Sequence, residues 1–346
     1  MNKRVTISDI ARELGVSTTT VNSALKGKGR VSEEKKQLVI AACKRLNYKP
    51  NKNAMSLPRK PIKIGVIIDS KIPEFHNELI RGAESARADL EDFNVYGEFI
   101  VYSLPNARLP ILAKMKEMGA SDFDGIIVCP SNDMREYDVT IQELYSRNIP
   151  VVTIVSDIPD SKRAFSVQSD GRLSGKIVAE LLWWFSENKN VAIFTGYKDR
   201  GIHANNIEGF IEETKKKPLN VIAIYENQDD PEIAYYATDK LLREYPEIGG
   251  IYICTANSST VCKRIMELGL QGKIKVIASD IFPNLNNCLK DGIVHATIFQ
   301  DPFTQGRLAF KYLYEFIADG KRFDDVIQIR PEIVLESNLE SFCKDQ

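Results

Sequence analysis

Apolar residues follow two different rhythms along this chain, and the change falls near Ile62. Before it, Ile7, Ile10, Ala11 and Leu14 recur at helical spacing and predict one face of a short helix. Thr6 stands where an N-cap belongs, with Asp9 three residues on. Gly15 suits a chain reversal, and Val16 supplies a buried anchor. Ser17 caps a second helix whose core face is Val21, Ala24 and Leu25. Gly27 to Arg30 read as a loop. Ser32 then opens a third helix that turns Leu38, Val39, Ala42, Cys43 and Leu46 inward. Two short helices joined by so tight a glycine turn predict a helix-turn-helix. Its second helix leaves Thr18, Thr19, Asn22 and Ser23 outside, small polar groups suited to base edges and phosphates. A plain three-helix bundle is the competing reading.

From Ile62 the apolar residues gather into short unbroken runs. Strands are predicted at Ile62–Asp69, Tyr96–Tyr102, Gly125–Cys129, Pro150–Val155 and Val191–Thr195. Others follow at Val221–Tyr225, Gly250–Cys254, Lys275–Ala278 and Ala296–Phe299, with amphipathic helices between nearly all of them. That alternation predicts an α/β body of parallel sheets with helices on both faces. Nine strands exceed one comfortable core, so two doubly wound subdomains are expected. In such sheets ligands bind beyond the carboxyl ends of the strands, which makes the cleft between the halves the expected site. The polar strand-end candidates are Asp69, Ser70, Ser156, Asp157, Thr195 and Gly196, followed by Thr255 to Asn257, Asp280, Gln300 and Asp301. Carboxylates and amides can each take neighbouring hydroxyls, the chemistry of polyol recognition. Singly, each could instead cap the next helix.

Charge sharpens the division. Residues 1–60 hold 14 Lys+Arg against 4 Asp+Glu, whereas the remainder holds 32 against 43. The near-neutral total of −1 therefore conceals a strongly basic head on an acidic body, the charge layout of a nucleic-acid-binding module.

Residues Thr6 to Leu57 resemble the LacI/GalR family of bacterial transcription regulators. The matching stretches are TISDIARELGVSTTTVNSAL, RVSEEKKQLVIAACKRLNYKPN and AMSL. The resemblance implies that the second helix reads an operator, with Thr18, Thr19 and Ser23 facing bases. It implies phosphate contacts for Ser17, Thr20 and Asn22, and DNA contacts for Thr6, Asn51 and Ala54. The family usually has Ser-Arg where this chain has Asn22-Ser23. A frequent guanine contact is thereby lost, and the operator should differ from the commonest family sequence. Residues 51–57 match the family's hinge helix, in which paired leucines from a dimer wedge into the minor groove; Leu57 holds that position. The implied layout is 1–50 for DNA binding, 51–61 for the hinge and 62–346 for effector binding and dimerisation.

The body in turn resembles sugar-binding periplasmic proteins of type I, the fold of the family's effector domain. The resemblance rests on Ala296–Pro302, Val276–Asp280 and the residues around them. It implies effector contacts from Phe75, Asp157, Asn206, Asn257, Asp280 and Gln300. It also implies an N-lobe of about 62–163 and 294–324, and a C-lobe of about 164–293 and 325–346. One departure is plain. Asn206 precedes Gly209-Phe210 where the family normally carries Arg, so Arg200 or His203 would have to compensate for that bidentate donor.

Other signals are weaker. Gly171–Lys176 has three residues between its glycines, not the four of a phosphate loop, and reads as a helix start capped by Asp170. Trp183-Trp184 reads as core or subunit contact, and Lys215–Lys217 as charge at a helix C-terminus. The six Cys are scattered and the three His lie far apart, so neither disulfides, a metal site nor a cofactor is expected. No apolar run approaches the ~20 residues of a membrane span, and no signal segment is visible, so a cytoplasmic protein is expected. The expected partners are double-stranded operator DNA, a small sugar-like effector and a second copy of the chain. No leucine heptad follows Ser337, which argues against a coiled-coil tetramer. Two other classes compete: a solute-binding protein, and an α/β enzyme with a basic tail. No nucleophile–base motif supports the enzyme.

Overall fold

Parallel sheets covered on both faces demand strands that are apolar throughout, and Ile62–Asp69 is buried at seven of its eight positions. The computed structural model describes residues 7–26, 31–46, 60–70, 72–103, 107–130, 134–199 and 201–343. Two compact units make up the chain: Met1–Pro61 with Leu90–Asn94, and Ile62–Asp89 with Val95–Gln346.

The first unit holds three helices: α1 (Ile7–Leu14), α2 (Thr18–Lys26) and α3 (Glu33–Arg45). Gly15 takes a left-handed backbone (φ +64°), the conformation that lets the chain turn directly after α1. Ser17 Oγ accepts from the Thr20 backbone N–H (3.1 Å) and lies 2.8 Å from Thr20 Oγ1, so it caps α2. Ser32 Oγ caps α3 through the Lys35 N–H. The core is Ile10, Ala11, Val21, Ala24, Val39 and Ala42. Two residues expected inside lie outside: Leu25 is 36% exposed and Leu38 55%. Small alanines at 24 and 42 draw the helices together, which turns the flanking leucines to the rim.

The second unit runs β1 (Ile62–Asp69), α4 (Pro73–Asp89), β2 (Val95–Tyr102), α5 (Arg108–Ala120), β3 (Gly125–Val128), α6 (Met134–Ser146), β4 (Val151–Ile154) and β5 (Phe165–Ser169). It continues with α7 (Gly171–Phe185), β6 (Asn190–Thr195), α8 (Gly201–Thr214), β7 (Asn220–Glu226), α9 (Pro231–Glu244) and β8 (Gly250–Cys254). Then come α10 (Ser258–Glu267), β9 (Lys275–Ser279), α11 (Pro283–Lys290), β10 (Val294–Phe299), α12 (Pro302–Asp319), β11 (Val326–Ile329), β12 (Glu332–Val334) and α13 (Leu339–Cys343). One six-stranded sheet has the order β11-β5-β4-β3-β1-β2 and the other β12-β10-β9-β8-β6-β7. Every pairing is parallel except β10 with β12.

Three strands correct the lobe boundaries drawn from sequence. Phe165–Ser169 pairs with β4 (Val152 beside Phe165) and belongs to the first sheet. Its alternation of Phe, Ser, Val, Gln and Ser disguises a fully buried strand. Val294–Phe299 pairs with β9 in the second sheet, and Val326–Ile329 returns to the first beside β5. The chain therefore crosses between lobes three times: after β5, after β10, and between β11 and β12.

Each lobe carries one pair of helices whose backbones touch. A Cβ on Gly82 of α4 would fall 1.9 Å from the Phe303 carbonyl oxygen on α12, and one on Gly306 would fall 1.9 Å from the Leu79 oxygen. In the other lobe, Gly209 of α8 faces the Arg172 oxygen at 1.9 Å and Gly175 of α7 faces the Asn206 oxygen at 2.0 Å. Backbone atoms cannot swing aside as side-chain ends can, so the helices must part. Gly209→Ala is expected to cost about 1–3 kcal/mol of stability, as overpacking does. Urea denaturation would show it as a lower midpoint; an unchanged midpoint would refute the contact.

Candidate functional site

The carboxyl ends of both sheets face a cavity of about 500 Å³. One wall is built by Asp69 at the end of β1, Phe75 and His76 on α4, Pro130 after β3, and Ser156 after β4. The opposite wall consists of His203 and Asn206 on α8, Asp229 after β7, Thr255 after β8, Asp280 after β9 and Gln300 after β10. Phe75, Asn206, Asp280 and Gln300 are thus brought together as expected from the resemblance.

Asp280 sits in left-handed backbone (φ +64°), a conformation that Asp tolerates better than most residues. Its N–H donates to the Ile298 carbonyl (2.8 Å), and its own carbonyl accepts from Thr297 Oγ1 (2.6 Å). Gln300 grips the carboxylate twice, through Nε2 (2.5 Å) and its backbone N–H (3.2 Å). Burial outweighs those two bonds and pushes the carboxyl up to about 7.

Asn206 is buried, and its Oδ1 has no hydrogen-bond partner among the described residues. Such an acceptor at a cavity wall is open to a donor from whatever fills the cavity, solvent or ligand. His203 lies one helical turn earlier, and its Nδ1 is 3.0 Å from the Cys254 carbonyl. A carbonyl only accepts, so Nδ1 is the donor of that pair. Arg200, the other compensating candidate, lies outside the described residues. Asp229 is presented by two successive left-handed residues, Gln228 and Asp229, and accepts from Thr255 Oγ1 at 2.7 Å. The strand-end rule applied after Val221–Tyr225 would have found it, because Asn227 to Asp230 is a polar run at that end. Cys129 and Cys254 also line the cavity; burial pushes both thiols up to about 12, so they are neutral walls, not thiolates.

Two expected contacts fail. Asp157 does not reach the cavity. Its carboxylate is spent on Arg163 Nε and Nη2 (the latter 2.6 Å), Thr153 Oγ1 (2.9 Å) and the Ile158 N–H (2.7 Å). Arg163 also donates to Asp325 at 2.8 Å, and those bonds hold Asp325 below the usual carboxylate range. Nothing in the local sequence around Asp157 signals a partner as distant as Asp325. Asn257 also falls short: it opens α10, while Thr255 and Ala256 take the cavity wall.

In the head, Thr18 and Thr19 are exposed on α2 and Ser23 is half-buried. Ser17 and Thr20 bond one another at the helix start. For Asn22 only the backbone is described, and Thr6, Asn51, Ala54 and Leu57 lie outside the described residues. Among the described residues, no group of three or more His, Cys, Asp or Glu could hold a metal, and no helix is long and apolar enough to cross a membrane.

The body has a two-lobed periplasmic-binding-protein fold. A glucose-galactose binding protein from Geobacillus stearothermophilus superposes with a TM-score of 0.74 at 24% identity, over 81% of this chain and 99% of that one. A solute-binding protein from Burkholderia graminis, solved with D-arabinose, gives 0.75 at 24% identity over 83% and 99%. The model of the periplasmic binding protein domain matches residues 64–322, and that of the bacterial regulatory proteins of the lacI family matches 6–51. Proteins called HTH-type transcriptional repressor PurR are similar over nearly the full length. That of Pasteurella multocida is 26% identical over 97% of this chain and 99% of its own, and that of Vibrio parahaemolyticus 25% over 97% and 98%. The chain belongs to the LacI family of transcriptional regulators, a DNA-binding head joined to a periplasmic-binding-protein body.

Two outcomes test this geometry. Asp157→Ala leaves the buried Arg163 with only the exposed Asp325 as a carboxylate partner and should cost stability, up to about 3–5 kcal/mol. Calorimetric titration should find ligand affinity of the folded variant unchanged; a selective loss of affinity would return Asp157 to the site. Asp280 binds its proton more tightly when folded, about 7 against an ordinary 3.8. Its contribution to stability is therefore complete below about pH 3.8 and lost as the pH rises through about 7. Asp280→Asn should remove that loss, seen as a flatter stability profile between about pH 4 and 7; an unaltered profile would contradict the assignment.

Proposed function

We propose that this regulator is a homodimeric, cytoplasmic repressor whose operator affinity is set by an uncharged, sugar-like effector held between the two lobes of the body. The cavity carries the reading. Carboxylates, an amide with a buried unpartnered oxygen and an aromatic ring converge there from the strand ends of both sheets. Acceptors of that kind take hydroxyl donors, and Phe75 offers a face for the apolar side of a ring. Asn206, His203, Asp229, Asp280 and Gln300 are its polar contacts. Asp280→Ala should abolish the effector response and leave DNA binding intact.

In the head, Thr18, Thr19 and Ser23 read bases in the major groove, while Ser17, Thr20 and Asn22 hold phosphates, with Thr6, Asn51 and Ala54 also at the DNA. Leu57 from each subunit enters the minor groove and helps to bend the duplex. Because the two subunits share a two-fold axis, the operator is pseudo-palindromic.

Full-length protein titrated onto duplex DNA tests the reading directly. Binding should weaken steeply with salt as counterions are released, and a saccharide from a hexose and pentose panel should shift operator affinity by about 5–150-fold. Leu57→Ala should weaken operator binding and reduce the bend without changing effector affinity. A protein indifferent to duplex DNA at low ionic strength, with and without saccharides, would end the proposal.

A further inference from the structure

A second cavity of about 470 Å³ adjoins the cleft. Phe75, Asp280 and Phe282 border both, forming a shared wall. The far side of the second cavity is aromatic. Phe299 and Phe342 meet edge to face with centroids 5.3 Å apart, and Phe303 of α12 lines the same cavity. Its polar groups are chiefly acceptors at the rim: Glu74 and Glu332 are both exposed. The one cation lining it among the described residues, Arg81, is engaged by Glu78 at 2.5 Å and lies over the Phe303 ring.

Phenyl faces edged with carboxylates match a sugar ring, whose C–H face packs on aromatics and whose hydroxyls donate to acceptors. An anionic group would meet the same carboxylates and be repelled. Asp280 borders both cavities, so a hydroxyl bound to it would stand where they meet.

We propose that the second cavity is a subsite for a second sugar ring, so that the effector is an oligosaccharide of two or more rings. The inference rests on the saccharide reading of the cleft. Calorimetry on the full-length protein would compare glucose and galactose with maltose, cellobiose, lactose and melibiose. At least one disaccharide should bind about tenfold more tightly than either constituent hexose, a gain of about 1.4 kcal/mol. Phe303→Ala should erase that gain while leaving hexose affinity within about twofold. Glu332→Gln, at an exposed position and therefore safe for folding, should lower only disaccharide affinity. Hexoses binding as tightly as every disaccharide, or both variants leaving disaccharide affinity unchanged, would overturn the subsite and spare the cleft. So would a phenyl hexoside gaining the same tenfold where no disaccharide does, since the cavity would then hold an aglycone. Failure of every saccharide to bind would instead overturn the saccharide reading itself.

Discussion

The contact between Asp280 and Gln300 ties the ligand-facing end of one lobe to the helix that carries the chain into the other. Asp280 follows β9, and Gln300 follows β10 at the point where the chain leaves the second sheet. Gln300 donates to the carboxylate, while its own carbonyl accepts from Gln305 Nε2 of α12 at 2.8 Å. Asp301 next to it is left-handed and caps α12 through the Thr304 N–H. A donor arriving in the cleft thus competes for a carboxylate already engaged by the crossing. Whatever alters that engagement acts on the first turn of α12. Control of one site by another requires such an element, whose state the ligand biases by binding two arrangements unequally.

A bias at α12 is useful only if the helix moves its lobe as a body. The reciprocal glycine contacts between α4 and α12 provide that rigidity, because backbone pressed on backbone leaves no soft side chain to absorb a shift. The pair α7–α8 does the same for the other lobe. Asn206 and His203 stand on α8 and Phe75 on α4, so each helix pair also carries ligand-facing groups. Compliance is left to the three crossings. The buried Arg163, shared by Asp157 and Asp325, braces the loop after β4 against the approach to β11, close to one crossing.

The sequence made the strands of uniform apolar character easy to recognise, since a buried parallel strand has few ways to look otherwise. It concealed β5, where Ser166 and Gln168 are buried by neighbouring strands and not by their own chemistry. Assignment of β10 and β11 to lobes was equally hidden, because pairing partners lie tens or hundreds of residues away and periodicity is local. The same limit explains the site. Asp280 and Gln300 follow from strand ends, a local property. Asp157 has the right local position too, but Arg163 and Asp325 close over it, and only the folded chain brings them there. In the head, the alternation of small and large residues marked the helices but not their tilt, so Leu25 and Leu38 were assigned to a core that alanines had already filled.

The substitution at Asn206 changes what the cleft can select. A guanidinium there would offer a fork of donors and a fixed positive charge. Asn206 offers instead a buried oxygen with no partner among the described residues. Asp229 and Asp280 add further acceptors, so the described wall on this side is rich in groups that receive protons. Buried acceptors discriminate strongly, because a ligand lacking the matching donor leaves them unsatisfied at a cost of about 1–3 kcal/mol each. Under the saccharide reading proposed above, specificity in this body would be set by the number and placement of ligand hydroxyls more than by any charge on the ligand. A cavity of that kind would gain most from a ligand with many hydroxyls, and the proposed subsite beyond Asp280 would add room for more of them.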